Sequence, residues 1–163
     1  KHKGFDVTIT AVKKLEESGL PIQFCLLGDG PERPALEQQA SGLSNVSFEG
    51  KQTNMGDWFS AADLQIHPSY TEGLGSVILE GMSAGLPVIG SNTGGIPDII
   101  EHGYNGLLIE PGNADALADA IVSLYEDEQK RASFIQNGIK KLETFDIRYT
   151  SQQYLELYKK IEK

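Results

Sequence analysis

The segment TEGLGSVILE, residues 71 to 80, sets two carboxylates into a stretch that is otherwise small or apolar, with glycines at 73 and 75 soon after the first. Each part suits a different chemistry. Glycines remove the Cβ atoms that would keep a ligand away from the backbone. A helix beginning near Gly75 or Ser76 leaves its first N–H groups without intrahelical partners and at the positive end of the dipole, which suits a phosphate. Glu72 precedes that helix, on the loop, where its carboxylate can face a cleft. Glu80 lies about a turn and a half into the helix, and because helical side chains lean back toward the N-terminus it can reach the same cleft from below. A carboxylate accepts two hydrogen bonds side by side, the pattern that the vicinal hydroxyls of a ribose present. Glu80 would then hold ribose while the loop amides hold phosphates. The plainer alternative makes Glu72 a first-turn acid near a helix dipole and Glu80 a helical glutamate paired with a neighbouring Lys or Arg. Against it stand the apolar and small neighbours of Glu80 in SVILEGMSAG, since an unpartnered carboxylate is costly to bury.

Such a loop needs a scaffold, and the rest of the chain reads as one. FDVTITAVKKLEE (5 to 17) is loosely helical and stops at SGLP, with Gly19 and Pro21 as terminator. IQFCLLG (22 to 28) is a short, almost unbroken apolar run, expected to be a strand buried on both faces of a parallel sheet. The unit recurs: PALEQQAS then VSFEG, MGDWFSAA then DLQIHPS, and GSVILEGMSAG then PVIGS, each helix followed by strand. A loop, GGIPDIIEHGYNG, leads to a last strand, LLIE. Strands alternating with helices at this pitch indicate repeated right-handed crossovers and a doubly wound, mostly parallel α/β sheet, whose ligands collect where the carboxyl ends of the strands meet helix N-termini. From residue 113 onward the chain reads as a helical extension, with Asn113 as N-cap, Asp115 and Asp119 early in the first helix, and Leu117, Ile121 and Leu124 on one face.

Composition narrows the partners. A length of 163 residues suits one domain, and a formal charge of −9 argues against a protein that grips the phosphate backbone of a nucleic acid. A small anion remains compatible with that charge, because backbone amides and one or two local cations suffice to hold it. The single cysteine, Cys25, is expected to be a small core hydrophobe, and a reducing compartment fits best. No apolar run approaches the roughly 20 residues that span a bilayer, and no signal-peptide pattern opens the chain. The three histidines are scattered, with no ligand cluster to suggest a metal. Beginning KHKGFD, without Met, and entering a helix at once, the chain is expected to be a fragment of a longer protein.

The run HPSYTEGLGSVILEGMSAGLPVIGSNTGGIPDIIEHGYNGLLIEPGNADALADAI, with KG at 3 and 4, LLGDGPE at 26 to 32, VSFEG at 46 to 50 and AADLQIHPS at 61 to 69, closely resembles the donor-binding half of retaining GT-B-type glycosyltransferases, the glycosyl transferases group 1 family, with Glu72 and Glu80 as its E-x7-E pair. The resemblance spans nearly the whole chain. It implies that Lys3 contacts donor phosphates, that Gly73, Leu74, Gly75 and Ser76 offer amides to the diphosphate, that Glu72 is the catalytic carboxylate against the transferred sugar, and that Glu80 binds the ribose. Gly50, Lys51 and Gln52 would sit near the nucleobase, and the TGG at 93 to 95 would form the next loop of the rim. His67 has a reading as a donor contact, but a locally satisfied strand-end histidine is the plainer one. Two departures stand out. Leu74 replaces a common aromatic, which should be tolerated because the amides do the binding. A strand ending in Gly-Arg, usual shortly before the Lys-Gly pair, is absent, so the sheet should be interrupted where that central strand would lie.

The implied function is retaining transfer from a nucleotide-diphosphate sugar, such as a UDP- or GDP-sugar, to an acceptor bound by an N-terminal domain of the same protein. No metal or other cofactor is expected, the setting is cytoplasmic, and any membrane contact would come through the missing domain. A nucleotide-sugar epimerase-like enzyme and a catalytically silent donor-binding subunit are the alternatives.

Overall fold

A computed structural model describes residues 2–161. Helices and strands alternate as α1 (Phe5–Glu17), β1 (Phe24–Leu27), α2 (Arg33–Gln39), β2 (Val46–Gly50), α3 (Met55–Ala61), β3 (Gln65–His67), α4 (Ser76–Ser83), β4 (Val88–Ser91), α5 (Ile96–Ile99), β5 (Leu107–Ile109), α6 (Ala114–Glu126), α7 (Glu128–Leu142), a 3-10 turn at Glu143–Phe145 and α8 (Ile147–Ile161). Every strand pair is parallel, as strands joined through crossover helices must be. They form two sheets, β1-β2 and β3-β4-β5. Among the described residues, β1 pairs only with β2 and β3 only with β4, so the strands fall into two separate sheets.

One core nevertheless unites the two sheets. Phe24 of β1, Ile89 of β4, and Leu107 and Ile109 of β5 pack with Val7, Ala11, Val12 and Leu15 of α1 and with Leu117, Ile121 and Leu124 of α6. The α1 residues recur at helical spacing and are almost fully buried, so Val7, Val12 and Leu15 each contribute on the order of 1.5–3 kcal/mol and with Ala11 fix α1 across both sheets. Lys14 of α1 also pairs with Asp115 of α6. The expected cap of α6 is present, with Asn113 Oδ1 accepting from Ala116 N at 2.9 Å.

Three expectations are corrected. β1 is buried on one face only, with Phe24 and Leu26 inward and Cys25 exposed, because the strand has a sheet neighbour on one edge and packs on a single layer. The segment expected as an unbroken loop at 94 to 106 holds the one-turn helix α5, whose Ile96 and Ile99 are buried. Glu80 is exposed, since the inward face of α4 is made by Ile78, Gly81 and Met82; the cost of burying its carboxylate therefore does not arise. Among the described residues, no helix is long and apolar enough to cross a membrane.

Candidate functional site

The loop from Pro68 to Gly75 leaves the carboxyl end of β3 and is clamped from both sides. On one side stands the start of α1: Tyr70 N donates to His2 O at 2.8 Å, and the Tyr70 hydroxyl donates to Asp6 Oδ2 at 3.0 Å. Burial, then that bond to Asp6, pushes the Tyr70 phenol upward, so it stays a donor. Gly4 enters the left-handed region at φ 69°, and a Cβ there would lie 1.9 Å from Pro68 O. Lys3 is thus presented to the loop by a turn that glycine makes possible. On the other side stands the TGG turn after β4. Gly95 N donates to Gly73 O at 2.6 Å, Thr93 Oγ1 donates to Tyr70 O at 3.3 Å, and a Cβ on Gly94 would lie 1.9 Å from Glu72 O.

Between these clamps the loop opens α4. Gly75, at φ 81°, is its N-cap and offers no side-chain cap, so the amides of Leu74, Gly75, Ser76 and Val77 have no protein acceptor among the described residues. Four donors at the positive end of a helix make an anion cradle. Gly73 differs, because its N–H is taken at 3.2 Å by Glu72 Oε1. The helix is fixed to the sheet by Gln65 of β3, whose Nε2 donates to Val77 O at 2.9 Å.

Glu72 is the hub of the cluster. Its Oε2 accepts from Lys3 Nζ at 2.7 Å, from His67 Nε2 at 2.7 Å and from Ser69 Oγ at 3.4 Å. The carboxylate side chain is 14% exposed and His67 13%, whereas Lys3 is 58% exposed. Burial alone would push the Glu72 carboxyl upward, but the bonds and positive charge of Lys3 and His67 outweigh it and bring it down to about 2. Glu72 is therefore ionised at any working pH. His67, read from sequence as a strand-end histidine with local partners, is that, and its partner is the site glutamate. Ser69, fully buried, was not singled out by its type; its nearness to Glu72 in the HPSYTE run was the available signal.

The other residues assigned from sequence lie apart. Gly50 ends β2 at φ 68°, its carbonyl accepts from Gly28 N at 2.7 Å, and Arg33 Nη2 donates to the neighbouring Phe48 carbonyl at 3.2 Å. Gln52 Nε2 donates to Glu49 O at 2.6 Å, while Lys51 is exposed. No hydrogen bond or ion pair among the described residues joins Gly50, Lys51 or Gln52 to Lys3 or Glu72. The start of α1 touches both rims: its N-cap Gly4 abuts Pro68, and the ring of its first residue, Phe5, lies near Gly28. The carboxylate of Glu80 makes no hydrogen bond with another described residue, and no described group of His, Cys, Asp and Glu is arranged to hold a metal ion.

Parallel strands with crossover helices, and a glycine-bearing turn that opens a helix at their carboxyl end, define the class: a Rossmann-like α/β domain. The family follows from comparison. The model of Glycosyl transferases group 1 matches residues 1–141, and the chain belongs to that family. It is 37% identical over 162 residues to the lipopolysaccharide core biosynthesis glycosyltransferase LpsD of Rhizobium meliloti, covering 97% of this chain and 46% of that protein. It is 39% identical over 110 residues to N-acetyl-alpha-D-glucosaminyl L-malate synthase of Bacillus anthracis, covering 66% of this chain and 29% of that one. Among solved structures, Anabaena Alr3699/HepE in complex with UDP superposes with a TM-score of 0.85 at 32% identity, covering 98% of this chain and 46% of HepE. The chain therefore spans less than half the length of these relatives.

Proposed function

We propose that this domain binds a nucleotide-diphosphate sugar and, with an acceptor-binding domain of the same protein, serves retaining transfer of the sugar. The observation that carries the reading is the row of unpartnered amides from Leu74 to Val77 at the start of α4, directly beside the ionised Glu72 and the Lys3 ammonium. That the Anabaena HepE structure holds UDP supports it. The diphosphate would take the free amides and draw Lys3 away from Glu72, and both would stabilise the charge that collects on the leaving group as the glycosidic bond breaks. The sugar, acquiring oxocarbenium character, would lie against Glu72, a fixed negative charge and a hydroxyl acceptor. Turning toward the sugar would release the Gly73 amide from Glu72 Oε1 and give the diphosphate one more donor. Glu80, free in solvent, would accept from the ribose hydroxyls, and Gly50, Lys51 and Gln52 would approach the base. The amides and Lys3 would meet the electrostatic demand without a metal, and the setting would be cytoplasmic.

Calorimetric titration of the complete protein with UDP, GDP and ADP tests the reading. Binding of at least one nucleotide, weakened about tenfold when Lys3 is replaced and Glu72 retained, is the expected result. A folded sample that binds none of the three contradicts it. The domain by itself is expected to bind nucleotide weakly and to transfer no sugar.

A further inference from the structure

Resting on the donor-site reading above, we infer that His67 is a positioning residue for that chemistry: its Nε2–H, with the Ser69 hydroxyl, holds Glu72 Oε2 in place when the donor takes Lys3 away. A carboxylate oxygen only accepts, so the 2.7 Å contact between His67 Nε2 and Glu72 Oε2 requires the proton to be on Nε2. Ser69 Oγ lies 3.1 Å from the same nitrogen and 3.4 Å from Glu72 Oε2. With Nε2 already protonated, the hydroxyl proton has Oε2 as its acceptor, and both groups converge on one carboxylate oxygen. Glu72 Oε1 is left for its own backbone amide at Gly73 or for a ligand.

The three partners of Oε2 differ in mobility. Lys3 reaches it on a long stem, 58% exposed, so an incoming diphosphate can capture its ammonium. His67 ends β3, paired in register with Gly90 of β4, and is 13% exposed, while Ser69 is fully buried. Neither can follow the phosphate. Once Lys3 has moved, they are what remains to keep the carboxylate charged and aimed, and a misplaced Glu72 would forfeit transition-state stabilisation while leaving the amide cradle intact.

The test compares three forms of the complete protein: wild type, His67→Gln and His67→Phe. Glutamine places an amide N–H near the position of Nε2, whereas phenylalanine fills the space without a donor. UDP, GDP and ADP binding is measured by calorimetry, and nucleoside diphosphate release from UDP-, GDP- and ADP-glucose gives kcat and KM. Expected for His67→Phe is a kcat lower by about tenfold or more, a donor KM and nucleotide affinity within about threefold of wild type, and recovery of most of the lost turnover in His67→Gln. Wild-type turnover in His67→Phe would overturn the inference. So would an equal loss in both variants, which would deny the N–H its part, or a raised KM with unchanged kcat, which would make His67 an ordinary donor contact. If wild type binds no nucleotide and releases none, the donor-site reading falls and takes this one with it; binding by all three forms with no kcat difference sinks the positioning role alone.

Discussion

The loop after β3 and the loop after β2 both leave the carboxyl end of a parallel strand, yet the fold grips them differently. Residues 68 to 75 are held on one flank by His2, Gly4 and Asp6 and on the other by Thr93, Gly94 and Gly95, so close that none of the three glycines admits a Cβ without displacing backbone. Residues 50 to 52 are held by Gly28 N, by a side-chain bond from Gln52 to Glu49, and by the Arg33 guanidinium, 3.3 Å from where a Cβ on Gly50 would lie. The difference teaches where chemistry and where selection reside. Transition-state stabilisation needs groups fixed before the substrate arrives, whereas a base contact can adjust on binding. Under the proposed donor-site reading, the β3 rim would carry turnover and the β2 rim nucleotide preference.

Substitutions can break that division. The largest effect is expected from Glu72→Gln in the complete protein, a fall in kcat of about 10²- to 10³-fold with nucleotide affinity changed far less. If affinity collapses with kcat, Glu72 supports the whole loop and the division is wrong. Next comes Gly94→Ala, whose methyl would collide with Glu72 O. It is expected to displace the β3 rim, costing about 2 kcal/mol or more in urea unfolding and about tenfold or more in turnover. Lys3→Met should weaken nucleoside diphosphate binding by about tenfold, the scale of one hydrogen bond to a charged group. At the β2 rim, Gln52→Ala should change the ratio of UDP to GDP affinity by about threefold and leave kcat nearly unaltered, since it removes a contact that is equal in ground and transition states.

Acid sharpens the same contrast. The folded Glu72 carboxyl sits at about 2 against an ordinary value of 4.5, so its ionised form stabilises the native state fully above about 4.5. That contribution is lost as pH falls from there through about 2. The stability gap between wild type and Glu72→Gln should thus be flat from neutral pH to about 5 and narrow below it, as urea midpoints at successive pH values would record. A gap that already narrows well above pH 5 would contradict this assignment to the Glu72 carboxylate.

Much of the architecture was legible because it is periodic. Alternation of apolar runs with helical spacing located the strands and helices, and the glycine pair marked the start of α4 at Ser76, with Gly75 as its cap. Cys25 and Glu80 were misjudged for one reason: apolar neighbours in sequence do not reveal which side of an element is covered, and β1 and α4 each turn one face outward. The bond between Lys3 and Glu72 spans 69 positions, so only the family resemblance suggested that these residues share a site. The contact of His67 with Glu72 is local, yet it crosses an irregular loop whose direction no spacing rule supplies. Helix α5 was hidden by the glycines that precede it and by Pro97, although its two isoleucines are buried.

The central claim is that the free amides at the start of α4 hold a diphosphate. Crystals of the complete protein soaked with UDP, GDP or ADP test it most directly. Phosphate oxygens are expected within about 3 Å of the amides of Leu74, Gly75 and Ser76, with the Lys3 ammonium turned from Glu72 toward them. A nucleotide bound elsewhere, with those amides empty and Lys3 still on Glu72, would contradict it.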